Sequence, residues 1–206
     1  FYRFLNNITN PYVMKKTLLL LAIFSCYAIA TTAQTVFYSA NFETSAINNW
    51  TQSSADDFDW IRRSGGTPSS GTGPNSASNG SYYMYTEMSS PRANGDRAIL
   101  TSPIIDLSTY TSNSLTFDYH MYSNDSSADV GTLEVEINVN SGGWSSVIFT
   151  RSGRQNSSQS NWLTGTVDLS AYDGNSIQIR FIATRANTWR GDIAFDNVEV
   201  AGFAAP

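Results

Sequence analysis

Asp56, Asp57 and Asp59 place three carboxylates within four positions, interleaved with the large rings of Phe58 and Trp60. In a strand of period two, Asp56 would share a face with Phe58 and Trp60, and Asp196 would share one with Ala194, Val198 and Val200. Both acids are then expected to point at a core. A carboxylate there costs on the order of several kcal/mol unless a cation or a metal ion meets it. Hard oxygen donors with no His or Cys beside them suit calcium, or sodium in its place. Arg62, Arg63 and Arg185 are the competing partners. Glu43, at the end of the first apolar run, joins this group if the first and last strands lie together.

Catalytic constellations are thin. His120 is the only histidine, so paired-His zinc motifs cannot be built within the chain. A Ser-His-Asp arrangement lacks a Gly-x-Ser-x-Gly elbow, and His120 falls mid-strand between Tyr119 and Met121. Glu134 and Glu136 point to one face of a strand, about 7 Å apart by the strand rise. A glycosidase could use such a pair, but it more often marks a solvated face. The expectation is therefore a non-catalytic chain. Of the five tryptophans, Trp189 lies in the polar run Arg185-Ala186-Asn187-Thr188-Trp189-Arg190-Gly191, which makes it the candidate ligand-contact residue. The others fit a core better.

The elements that must position these residues read as all-β. Short apolar runs with period two, separated by Gly, Ser, Asn, Asp or Pro clusters, fall at 36–42, 58–62, 82–87, 98–100, 115–122, 132–139, 144–150, 162–169, 177–183 and 193–200. No window shows a capped 3.6-residue apolar period, so no substantial helix is expected from residue 34 onward. About ten strands on one core predict a jelly-roll-like sandwich of two antiparallel sheets. Residues 64–81 have the composition of a flexible linker, but a boundary there would leave too small an N-terminal piece for a core. They are expected to form a long surface loop folded back over the sandwich.

Met14 is followed by Lys15-Lys16, an apolar run at 17–30 and the small residues Thr31-Thr32-Ala33, the pattern of a signal peptide cleaved near Ala33. Residues 1–13 read as a non-native or untranslated leader, 14–33 as the signal and 34–206 as one domain, secreted or at the cell surface. The apolar run falls short of the ~20 residues that span a bilayer, so no transmembrane helix is expected in the mature chain. Cys26, the only cysteine, lies in the signal, and acylation there as a lipoprotein competes with plain cleavage although Phe24 is bulky for such a site. Lys15, Lys16 and Arg3 all precede residue 34, so nine arginines face all 17 acidic residues beyond it, a net charge of −8. That charge argues against nucleic acid and anionic membranes as partners.

The order of motifs is similar to that of the MAM domain family, and specifically to its cysteine-free bacterial versions. Asn41-Phe42-Glu43, Trp50-Thr51-Gln52, Asp56-Asp57-Phe58-Asp59-Trp60, Gly73-Pro74, Gly80-Ser81-Tyr82-Tyr83-Met84-Tyr85 and Arg97-Ala98-Ile99-Leu100-Thr101-Ser102-Pro103 carry the first half. Leu115-Thr116-Phe117-Asp118-Tyr119-His120-Met121-Tyr122, Ile179-Arg180-Phe181 and Gly191-Asp192-Ile193-Ala194-Phe195-Asp196-Asn197-Val198 carry the second. The resemblance implies an adhesion or recognition module that meets a protein or a glycan at the cell surface, often as part of a larger protein. The alternative is a carbohydrate-binding or catalytic-accessory module of a secreted hydrolase or peptidase. It also implies a structural calcium or sodium ion, for which Glu43, Asp57 and Asp196 are the matching positions. Asn75-Ser76-Ala77-Ser78 stands where many members carry an Asp-His pair, which puts one possible ligand of that site in doubt. The start ahead of Met14 and the end at Pro206 suggest a fragment.

Overall fold

The computed structural model describes residues 33–205; the leader, the signal segment up to residue 32 and Cys26 lie outside them. Twelve strands run in chain order: β1 (Thr35–Ala40), β2 (Thr51–Gln52), β3 (Ile61–Ser64), β4 (Tyr82–Thr86), β5 (Arg97–Thr101), β6 (Ile105–Asp106), β7 (Tyr110–Met121), β8 (Thr132–Val139), β9 (Trp144–Ser152), β10 (Leu163–Asp168), β11 (Ser176–Thr184) and β12 (Ile193–Ala204). Among the described residues the helical content is three single 3₁₀ turns. One sheet has the order β10-β7-β12-β4-β3, with β1 beside the later half of β12. The other has the order β2-β5-β11-β8-β9, with β6 beside the start of β11. Every ladder is antiparallel. The expected sandwich of two antiparallel sheets is what forms, and the first and last strands do pair, Thr35 opposite Gly202.

Alternation explains which residues fill the space between the sheets. Leu115, Phe117, Tyr119 and Met121 of β7 face Leu133, Val135 and Ile137 of β8 and Ile177, Ile179, Phe181 and Ala183 of β11 in one apolar cluster. Phe181 and Phe195 tie the sheets together, their rings stacked with centroids 4.0 Å apart. Phe42, Trp50 and Trp60 crowd edge-on or tilted around Phe195. Each such aromatic contact adds about 0.5–1.5 kcal/mol beyond its buried area.

Two expectations about the acids are corrected by the backbone. Residues 56–60 are not a period-two strand; β3 begins only at Ile61. Instead the segment runs along the outer edge of β5 and substitutes carboxylates for a missing strand. The Ile99 amide donates to Asp56 Oδ2 at 2.6 Å and the Arg97 amide to Asp57 Oδ2 at 2.8 Å. In return the Ser53 and Asp57 amides donate to the Ile99 and Arg97 carbonyls. Side-chain acceptors thus close part of an edge that would otherwise stay open to pairing with another chain.

The second correction concerns Asp196. Ile193, Phe195, Val198 and Val200 all belong to the main core, so the face changes between 195 and 198. Asn197 sits at φ 49°, and the β12–β7 register slips between Asp196 and Glu199. This bulge puts Asp196 on the outer face with Ala194, not with Val198 and Val200. There it is covered by the 64–81 loop, which does fold back. Ala77 of the loop and Trp162 pack on Tyr83, Tyr85 and Ala194 as a second apolar cluster.

Candidate functional site

Beneath the loop each acid meets amide donors. Asp196 is fully buried; its Oδ2 accepts from the amides of Ser78 at 3.0 Å and Asn79 at 3.1 Å, and its Oδ1 from that of Asn197 at 2.7 Å. Burial pushes its carboxyl up to about 7, with the three amides pulling the other way. Glu43 Oε1 accepts from the Ser81 and Tyr82 amides, both at 2.8 Å, which holds its carboxyl below the ordinary range. Gly80 suits this corner, since its φ of +69° is left-handed and a Cβ on it would push against Glu43 Oε1 at 2.5 Å. Arg62 does come to this corner, but its Nε and Nη2 donate to the carbonyls of Phe42 and Glu43 while its guanidinium lies over the Tyr82 ring. Asp57, by contrast, serves the edge of β5 in the other sheet. The structure therefore gives Glu43, Asp57 and Asp196 three separate sets of amides. Among the described residues no three His, Cys, Asp or Glu side chains are arranged to hold a metal ion.

Asp192 is a buried acid that the sequence reading passed over. Its Oδ1 accepts from the Met88 amide at 3.1 Å, and its own amide donates to Thr72 Oγ1 at 2.9 Å, pinning the loop to β12. Its Oδ2 is buried without a hydrogen-bond partner. Burial, with Glu87 nearby, pushes this carboxyl up to about 7. The signal that could have found it is position: Asp192 precedes Ile193, and the face it shares with Ala194 is the one the loop must cover.

The residues with catalytic potential are otherwise engaged. His120 is fully buried beside Trp162, its Nε2 3.0 Å from the Ser158 carbonyl, and burial lowers its pKa to about 4. Glu136 is held by Arg180, whose Nε donates to it at 2.8 Å and whose guanidinium lies over the Trp144 ring.

Trp189 is where the sequence placed it, 40% exposed on the loop between β11 and β12. Arg190 stacks on its ring at 4.7 Å and bonds Asp125 Oδ2 at 2.7 Å, so the ring is braced against the segment leading to β8. At this end of the second sheet β5 and β8 begin and β9 and β11 finish, and their loops enclose an open cleft of about 660 Å³.

The family model of the MAM domain, meprin/A5/mu, matches residues 40–203. This chain belongs to the MAM domain family. It is 31% identical over 181 residues to the human (Homo sapiens) MAM domain-containing glycosylphosphatidylinositol anchor protein 2, covering 80% of this chain and 18% of that protein. To the human MAM domain-containing glycosylphosphatidylinositol anchor protein 1 it is 33% identical over 168 residues, covering 78% and 16%. The chain thus spans under a fifth of the length of these curated relatives. Its fold is also that of the K2 cleaved adhesin domain of Lys-gingipain, with a TM-score of 0.54 at 19% identity, over 79% of this chain and 96% of the other. This MAM chain has no cysteine beyond Cys26, so the aromatic stack across the two sheets does without disulfide support. No described helix is long and apolar enough to cross a membrane.

Proposed function

We propose that this MAM domain is a non-catalytic recognition module that works outside the cytoplasm and meets a protein or glycan with the loop end around Trp189. The observation that carries the reading is an indole left 40% exposed on a loop that is nevertheless braced, through Arg190, to Asp125. A rigid aromatic presented to solvent loses little conformational freedom on binding and buries a large area, the properties of an interface anchor. The burial of His120 and the pairing of Glu136 with Arg180 support a role without catalysis. Relatives named for a glycosylphosphatidylinositol anchor support a place at the cell surface.

The test is binding of the purified protein to arrays of glycans and of extracellular proteins, with Trp189→Ala as the control. At least one ligand is expected to be retained and to lose tenfold or more in affinity in the variant. Silence on both arrays, or a ligand indifferent to Trp189→Ala, would overturn the assignment of this surface.

A further inference from the structure

We infer that Asn79 is a self-modification site, at which the folded protein converts an asparagine amide to an acid and so loosens its own covering loop. At the end of that loop the backbone amides of residues 78–82 are shared out between two carboxylates. Asp196 accepts from Ser78 and Asn79, and Glu43 accepts from Ser81 and Tyr82. The Gly80 amide between the two pairs has no acceptor among the described residues, and Asn79 and Gly80 are both exposed. With no side chain to shield it, the nitrogen of a glycine is well placed to reach the side-chain carbonyl of an asparagine before it. The Asn79 side chain is lightly held, since its Nδ2 donates to Asn197 Oδ1 only at 3.5 Å, near the outer limit of a hydrogen bond.

Once hydroxide takes the Gly80 amide proton, the nitrogen attacks Asn79 Cγ. The N–Cγ bond forms, the Cγ–Nδ2 bond breaks, and Nδ2 leaves as ammonia with a proton from water, which returns the hydroxide. Water then opens the cyclic imide at one carbonyl or the other, giving aspartate or isoaspartate at position 79. The chain carries its own comparison in Asn94-Gly95, its other asparagine-glycine step. Both of those residues are also exposed, and Gly95 is left-handed at φ 90° as Gly80 is at 69°. The Gly95 amide, however, donates to the Arg185 carbonyl at 3.0 Å, so that bond must open before the nitrogen can ionise. The product at 79 acts on the loop. A carboxylate there turns an acceptor toward Asn197 Oδ1 in place of a donor and adds charge beside Asp196 and Glu43. Isoaspartate lengthens the backbone between the amides that Asp196 holds and those that Glu43 holds, which pulls the two pairs out of register.

Incubation of the purified protein in warm, mildly alkaline buffer, followed by peptide mapping, tests this. Asn79 is expected to convert at least tenfold faster than Asn94 in the folded protein, and at a similar rate in concentrated urea, where the bond at Gly95 is gone. Amide exchange should correspondingly be faster at Gly80 than at Gly95. Asn79→Asp, which installs the ordinary product, should melt below the parent. Equal conversion of the two asparagines in the folded protein, a preference for Asn79 that persists undiminished in urea, or an Asn79→Asp variant that melts like the parent would overturn the inference.

Discussion

Asp196 of β12 and Asp118 of β7 are direct cross-strand neighbours, and Ser78 of the covering loop bonds both, through its amide to Asp196 at 3.0 Å and its hydroxyl to Asp118 at 2.6 Å. Like charges opposite each other in a ladder repel, so the loop's donors are what make the pair tolerable. Removing the acceptor strands those donors. Asp196→Ala strips three amides, those of half-buried Ser78 and Asn197 and exposed Asn79, of their acceptor and is expected to cost about 2–4 kcal/mol in urea unfolding. Asp118→Asn keeps an oxygen for Thr164, removes the repulsion, and is expected to be at least as stable as the parent at pH 8. A destabilised Asp118→Asn would show that the repulsion is not felt.

The pH dependence follows from Asp192. Its carboxyl titrates near 7 when folded, raised by burial and by Glu87 with the Met88 amide foremost in opposing them, and near the ordinary aspartate value when unfolded. Between about pH 4 and 7 the folded state therefore binds the extra proton, and stability contributed by this group is present at the acid end and lost as pH rises. Asp196 shifts in the same direction. Asp192→Asn should thus raise the unfolding free energy at pH 8 by on the order of 2 kcal/mol, with a matching rise in melting temperature and the gain shrinking by pH 5. A gain that is flat across this range would assign the effect elsewhere.

Metal dependence is open to a direct check. With Glu43, Asp57 and Asp196 each turned toward backbone amides, melting curves in EDTA and in millimolar calcium are expected to coincide. A rise of several degrees with calcium, lost in Asp196→Ala, would mean that the carboxylates gather round an ion after all.

The bulge at Asn197 should be sensitive to backbone preference alone. At φ 49° a β-branched residue is strained, so Asn197→Val is expected to cost about 1–3 kcal/mol, whereas Asn197→Gly should be close to neutral. Chemical denaturation of the two variants separates this from any contact of the side chain, since both remove it. Equal losses would point to the side chain.

The sequence by itself determined the long strands, because alternation over β7, β8 and β11 marks one face of each as the apolar core side, and two such faces demand a partner sheet. It also located Trp189, since a tryptophan in a polar loop has no apolar partners in its own segment to cover it. The tertiary structure alone decided what the acids do. Period two assigns residues to faces only while a strand is regular, and one left-handed residue at Asn197 moved Asp196 away from the core side. The partners of Glu43, Asp57 and Asp196 are backbone amides, which every residue but proline carries and which therefore leave no mark in a sequence. The cleft between the starts of β5 and β8 and the ends of β9 and β11 likewise arises where four chain segments meet in space, a juxtaposition fixed by strand order and not by any one of them.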